Sequence, residues 1–208
     1  MIIVGAPGVG KGTHTERLLN RYPQLSSVSS GDLLRENVRK KTRIGKEAEA
    51  LMNRGELVPD NVILRLIRNA LHPDTSFILD GFPRNAQQAA QLDKLIPINL
   101  AIHVHTPFEI IMDRITNRWV HPPSGRTYNT TFNPPKVEGK DDATGEKLVQ
   151  RDDDKPEVWK ARLSQFEESA KPLLQHYEKM GVLWRVEGNS SDEISPKIFE
   201  EFDKKFGK

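Results

Sequence analysis

The sequence has no cysteine among its 208 residues. That excludes a disulfide framework, a thiolate metal site and a cysteine nucleophile. It also lacks any run approaching the ~20 consecutive apolar residues that a membrane helix needs. The opening stretch Met1-Ile2-Ile3-Val4 is too short for a signal-peptide core, has no basic flank, and reads as a strand. Without a secretory signal, the N-x-S/T sequons at Asn129 and Asn189 are expected to be chance matches. An excess of one charge is missing too, since 31 Lys+Arg face 29 Asp+Glu and leave a net charge of +2. That balance, with only 7% aromatic residues, argues against a nucleic-acid partner and its base-stacking platforms. Any anion site must therefore come from where the arginines stand rather than from their number.

Hydrophobic residues make up 36% and charged residues 29%, the balance of a folded, soluble chain. The length suits one compact unit with room for an inserted subdomain. Short apolar runs at Met1–Val4, Ser26–Ser29, Phe77–Leu79, Leu100–Val104 and Leu183–Val186 read as buried strands. Helical patterns lie between and after them, over 11–22, 32–40, 44–54, 60–71, 85–94, 107–118, 156–180 and 192–206. Strands alternating with helices predict an α/β fold with a parallel sheet covered on both faces. Residues 119–155 break the pattern with Pro122, Pro123, Pro134 and Pro135, three glycines and few helical periods. A long irregular stretch in a compact domain is usually a lid or a small unit of its own. Segments such as Thr127–Phe132 suggest a little antiparallel sheet there, although a plain surface hairpin has the same composition.

The strongest local pattern is Gly5-Ala6-Pro7-Gly8-Val9-Gly10-Lys11-Gly12-Thr13, set between a strand and a helix. It fits G-x-x-x-x-G-K, with Gly12 in the usual Ser/Thr place. Glycines let backbone N–H groups converge on phosphate oxygens, and the following helix adds its positive N-terminal end. Lys11 can reach the β- and γ-phosphates as a point charge. An ordinary glycine-rich turn would not need the lysine.

Arginines mark further positions. Arg35 closes Ser29-Ser30-Gly31-Asp32-Leu33-Leu34-Arg35, and Arg84 closes Asp80-Gly81-Phe82-Pro83-Arg84; each run follows a predicted strand. Arg114 and Arg118 are four apart and expected on one helix face. Arg126 and Arg151 fall in the irregular stretch, and Arg162 in the next helix. Ligands of open α/β sheets bind beyond the strands' carboxyl ends. A lone arginine is more often a surface ion pair, but three strand-end sites together favour a phosphate cluster. Asp80 either holds Mg²⁺ through water or caps the next turn, and the two readings stand level.

Taken together, Gly5–Thr13, Ser29–Arg35, Asp80–Arg84 and Arg118–Tyr128 resemble the adenylate kinase family over nearly the whole chain. Asn133-Pro134-Pro135-Lys136 and Asp141-Asp142-Ala143-Thr144-Gly145-Glu146 resemble its long, lid-bearing form. The resemblance implies a single nucleoside monophosphate kinase domain over 1–208, with a P-loop NTPase-type five-stranded parallel sheet flanked by helices. It implies an AMP-binding helical insert at 29–58, a small β lid at 119–155, and reversible phosphoryl transfer from a Mg²⁺-bound nucleoside triphosphate to AMP.

The resemblance also assigns residues. Gly8, Val9, Gly10, Lys11, Gly12 and Thr13 would hold the donor phosphates. Arg118, Thr127 and Tyr128 would contact the donor, Arg114 would lie against its base, and Ser190 would touch that base through its backbone. Ser30, Arg35, Glu56, Leu57, Val58, Gly81, Phe82, Pro83, Arg84 and Gln88 match the AMP side. Arg151 and Arg162 match arginines that reach the transferring phosphate and count with the AMP side, and with Lys11, Arg84 and Arg118 they would be the catalytic set. No residue need act as a nucleophile, so catalysis would be positioning, electrostatics and exclusion of water.

Some long-form relatives staple the lid with zinc on paired cysteines. The equivalent positions here are His121, Ser124, Asp141 and Thr144, too poor in zinc ligands for a structural site. A hydrogen-bonded polar tetrad without zinc is expected. The run 118–126 and residues 150–156 resemble most the mitochondrial GTP:AMP phosphotransferase branch. GTP is therefore favoured as donor, with ATP the alternative, and the mitochondrial matrix as location, with the cytoplasm the alternative. No Arg-rich leader is visible. A monomer without nucleic-acid or membrane partners is expected. A P-loop GTP-binding switch would need N-K-x-D, which is absent, and Asp142-Ala143-Thr144-Gly145 offers D-x-x-G only inside the irregular stretch.

Overall fold

The computed structural model describes residues 1–72 and 75–207. The parallel sheet contains β1 (Ile2–Val4), β2 (Leu25–Ser29), β3 (Ser76–Asp80), β4 (Ala101–His105) and β7 (Leu183–Glu187), in spatial order β2-β3-β1-β4-β7. All four pairings are parallel. Alternation along the strands feeds two apolar layers. Ile2, Val4, Leu79 and Ala101 face one way and pack with Phe82, Leu173 and Tyr177. Ile3, Ile78, Ile102 and Val104 face the other way and pack with Leu18, Trp159, Ile194 and Ile198. The central strands are thus buried on both sides, as their uninterrupted apolar runs require.

The helices are α1 (Lys11–Arg21), α2 (Ser30–Arg39), α3 (Arg43–Asn53), α4 (Asp60–Ala70), α5 (Ala86–Leu92), α6 (Phe108–Thr116), α7 (Pro156–Lys179) and α8 (Ser191–Phe206). Ser29, Thr42, Asn85 and Ser190 each accept a backbone N–H at their helix start, which fixes where α2, α3, α5 and α8 begin. Among the described residues between β2 and β3 the regular elements are the three helices α2, α3 and α4, joined by short loops.

Two expectations need correction. The helix predicted over 107–118 stops at Thr116, so Arg114 and Arg118 do not share a helix face. Asn117 ends it by turning its amide onto Asp113 (2.9 Å), and Arg118 opens β5 (Arg118–Val120). The strand suggested over 127–132 stops at Asn129, because the Asn129 side chain accepts the Thr131 N–H (2.9 Å) and hydroxyl (2.6 Å) and turns the chain. This strand, β6 (Thr127–Asn129), pairs antiparallel with β5.

Candidate functional site

The carboxyl ends of β1, β2 and β3 lie side by side and deliver the loop 5–13, the Ser30–Arg35 turn and the Asp80–Arg84 turn to one cleft. In the loop, Gly8 and Gly10 hold positive φ, and a Cβ on Gly8 would come within 2.7 Å of Ile115. Glycine is therefore required for the chain to pass there. The Trp159 indole N–H donates to the Pro7 carbonyl (3.2 Å), bracing the loop from α7.

Lys11 folds back over the loop, its Nζ donating to the carbonyls of Gly5 (2.8 Å) and Ala6 (2.9 Å). Burial pushes its ammonium down to about 8, partly opposed by Asp80 and reinforced by Arg84. Burial pushes the Asp80 carboxyl up, against the pull of Lys11. Asp80 Oδ2 would lie 3.7 Å from a Cβ on Gly12, and the carboxylate makes no side-chain hydrogen bond among the described residues. A carboxylate with free oxygens, facing the phosphate loop across the cleft, fits a water-bridged Mg²⁺.

Beyond the lysine stand Arg35, Arg84, Arg118, Arg151 and Arg162, all lining the cleft. Three are held by carboxylates. Arg35 donates to Asp32 (2.6 Å), Arg162 to Asp153 (2.7 Å), and Arg118 to Asp154 through Nε (2.7 Å) and Nη2. Arg84 and Arg151 have no carboxylate within ion-pair distance among the described residues. Burial, with Arg162 and Arg35 nearby, pushes Arg84 down to about 10, and burial with Arg35 and Arg118 does the same to Arg151. For Asp153, burial acts upward, but Arg162, Arg35 and Arg151 outweigh it and hold the carboxyl low. Positive charge therefore exceeds negative charge where a phosphate would sit, and two guanidiniums remain unneutralised.

A side pocket opens between α2, α3 and β3, lined by Ser30, Arg35, Met52, Glu56, Leu57, Val58, Phe82, Arg84 and Gln88. Its apolar wall of Leu34, Val58 and Phe82 is buried. The Ser30 hydroxyl donates to the Gly81 carbonyl (2.7 Å). Gln88 accepts the Arg84 backbone N–H and donates to Asp60, both at 2.7 Å, so its amide is spent on positioning. The Glu56 side chain turns to Arg54 (2.7 and 2.9 Å) and leaves its backbone at the rim. Pro83 is buried and Gly81 shapes the turn under Arg84.

Toward the other end, Arg114 donates to the carbonyls of Val9 (2.9 Å) and Asn189 (3.0 Å) and lies 6.0 Å from the Phe132 ring. Ser190 caps α8 by accepting the Glu193 N–H (3.1 Å). Thr127 is exposed on the cleft, whereas Tyr128 is buried with its hydroxyl donated to Asp141 (2.9 Å). In segment 119–155, His121 meets Ser124 (2.8 Å), and the Thr144 hydroxyl donates to Asp141 (2.9 Å) and stands 3.5 Å from His121. This tetrad is larger than its four positions. Arg126 grips Asp141 through two nitrogens (2.8 and 2.6 Å), and Glu146 takes the other His121 nitrogen (2.6 Å).

Sequence reasoning missed Asp32, Asp153 and Asp154 as the partners of the cleft arginines. The Asp152-Asp153-Asp154 run beside Arg151 was the available signal.

The model of the adenylate kinase family matches residues 3–182. The chain belongs to the adenylate kinase family. The mitochondrial GTP:AMP phosphotransferase of Saccharomyces cerevisiae is 45% identical over 218 residues, covering 100% of this chain and 93% of that one. That of Drosophila melanogaster is 44% identical, covering 94% and 91%. The adenylate kinase of Thermodesulfovibrio yellowstonii is 44% identical, covering 99% of both chains. In this adenylate kinase family member, the loop 5–13 and the five arginines line one cleft, and the side pocket shares Arg35, Arg84 and Arg162 with it.

Proposed function

We propose that the protein catalyses reversible transfer of the terminal phosphoryl group from a Mg²⁺-bound nucleoside triphosphate to AMP, with GTP the preferred donor, yielding GDP and ADP. The observation that carries this reading is a loop-lined cleft and a side pocket that share Arg35, Arg84 and Arg162, with Arg84 free of a carboxylate partner among the described residues. The side pocket bounded by α2, α3, Phe82 and Arg84 suits the acceptor, and the loop 5–13 suits the donor. On this reading 29–58 is the AMP-binding insert and 119–155 the lid.

An oxygen of the AMP phosphate forms a bond to the terminal phosphorus. The bond from that phosphorus to the β–γ bridging oxygen breaks, and its electron pair leaves on the nucleoside diphosphate. Charge develops on the transferring oxygens and the leaving oxygen, and fixed cations stabilise it. Lys11 would exchange its two carbonyl acceptors for phosphate oxygens. Arg84 and Arg151 are free to meet the transferring group, and Arg118 and Arg162 are aimed from the acids that hold them. Arg35 and Arg84 would grip the AMP phosphate by their forked donors. Asp80 would hold, through water, a Mg²⁺ carried by the triphosphate, which would supply charge neutralisation.

GTP is favoured through likeness to relatives named GTP:AMP phosphotransferase. ATP is the second reading, favoured by the equally full-length likeness to a relative named adenylate kinase. Likeness to the two mitochondrial GTP:AMP phosphotransferases favours the mitochondrial matrix. No described helix is long and apolar enough to cross a membrane. A monomer suits a cleft built wholly from one chain. A coupled assay over a matrix of donors and nucleoside monophosphate acceptors tests the reading. GTP with AMP should give the highest kcat/KM; ATP ahead of GTP would overturn the donor choice, and no turnover with AMP would overturn the whole.

A further inference from the structure

A chain of polar contacts ties α1 to the start of α8 beside the donor end of the cleft. His14 Nδ1 meets the Ser195 hydroxyl at 2.9 Å, and both residues are buried. Arg17 Nη1 donates to the same hydroxyl (3.3 Å) and to the Ser191 carbonyl (2.8 Å). The buried His14–Ser195 contact and the two Arg17 contacts fix the Arg17 guanidinium against the start of α8. Burial, with Arg17 and Arg114 nearby, pushes the His14 imidazole down to about 4, so it remains neutral and does not compete with Arg17. Arg17 Nη2 then grips Asp192 Oδ1 at 2.6 Å. The Asp192 side chain is still 84% exposed and lines the cleft, and its second oxygen makes no hydrogen bond among the described residues.

The place is specific. A Cβ on Gly10 would lie 3.5 Å from Arg114, from His14 and from the Ser191 hydroxyl. Arg114 in turn holds the Asn189 carbonyl. Residues 189–192 therefore edge the slot beside the Arg114 guanidinium, the flat surface on which a donor base would rest.

We infer that Asp192, held in place by Arg17, reads the donor base as guanine by accepting its N1–H and N2–H groups. This inference rests on the GTP reading and names its structural basis. Guanine presents two adjacent donors on that edge, which suit one carboxylate. Adenine presents a lone pair at N1, which a carboxylate repels. Arg17 is half-buried and is itself fixed by the buried Ser195 hydroxyl and the Ser191 carbonyl, and a selectivity group must be held still in this way. Asp192 would be a binding residue, and Arg17 and His14 positioning residues.

The test measures kcat/KM for GTP, ITP, ATP and XTP at saturating AMP. In the unaltered protein GTP should exceed ITP, which lacks the 2-amino group, by about tenfold, and ATP by more. In Asp192→Asn the GTP:ATP ratio should fall at least about tenfold, and XTP, whose 2-oxo group accepts from the new amide, should rise against GTP. Arg17→Met should lower the GTP:ATP ratio in the same direction. A ratio unchanged in Asp192→Asn, or equal losses for both donors, would make Asp192 a strut between α1 and α8 and overturn the inference while leaving the GTP reading intact. Equal rates for GTP and ITP in the unaltered protein would overturn it without any variant. An unaltered protein that prefers ATP would overturn the GTP reading, and this inference with it.

Discussion

Arg118 and Asp154 join the small β unit to the core: the Arg118 Nε donates to Asp154 Oδ2 at 2.7 Å and its Nη2 to Oδ1. The acid side chain is 5% exposed and the guanidinium 18%. A buried pair is costly to break from one side because the remaining charge loses its partner. Arg118→Met should therefore lose about 3–5 kcal/mol of stability as well as turnover. Arg118→Met with Asp154→Leu should recover most of that stability but none of the turnover. Denaturant unfolding and the coupled assay on both variants separate the two effects.

Lys11 should take up a proton when a nucleotide binds near pH 8. Burial holds its ammonium at about 8, whereas phosphate oxygens favour the charged form and would raise it. Binding calorimetry in two buffers of different ionisation enthalpy at about pH 8.5 should show net uptake. Lys11→Met should abolish the uptake and lower kcat by roughly a hundredfold or more, with little effect on the KM for AMP. The stability sign is also set. A lysine depressed on folding destabilises fully below its folded value, and that cost fades as pH rises from about 8 toward 10.5.

Arg84→Ala should raise the KM for AMP about tenfold or more, since a forked guanidinium to phosphate is lost. Its melting temperature should move little, because among the described residues Arg84 has no carboxylate partner and its side chain donates only to the Gly81 carbonyl at 2.8 Å. Gln88→Ala should act differently. It strands the Arg84 N–H and Asp60 and should cost about 1–3 kcal/mol of stability.

Asp141 should anchor segment 119–155 down to strongly acid pH. Arg126 above all, with Tyr128 and Thr144, holds its carboxyl far below the usual 3.8, against the opposing effect of burial. A depressed carboxylate stabilises fully above its unfolded value, and that contribution is lost as pH falls below about 3.8 toward the folded value. Asp141→Asn should expose 119–155 to protease at pH 7 while the core stays resistant. The difference from the unaltered protein should shrink below pH 3.8. Elemental analysis after dialysis against EDTA should find far less than one zinc per chain, since the segment offers no thiolate.

How much of this was legible beforehand depended on whether the cause was local. The five parallel strands follow from short apolar runs, and the loop 5–13 from glycine spacing and a lysine; these depend on neighbours in sequence, so the chain alone determined them. Arg35 and Arg84 were also legible, because a strand followed by a turn places its next residues at the sheet's carboxyl edge. Arg35 meets Asp32 one helical turn away, but the partners of Arg118 and Arg17 were decided only by the tertiary structure. Arg118 lies 36 residues from Asp154, and Arg17 lies 175 from Asp192. No periodicity links such pairs, and a sequence does not display which buried charge will neutralise another. The ends of α6 and β6 escaped pattern reading for a related reason. The amides of Asn117 and Asn129 redirect the chain by bonding it locally, which outweighs the helical or alternating pattern around them. The sequence by itself determined a phosphate-binding α/β fold and the arginines it presents. Packing across distant helices decided which of those arginines remain free to meet a phosphate.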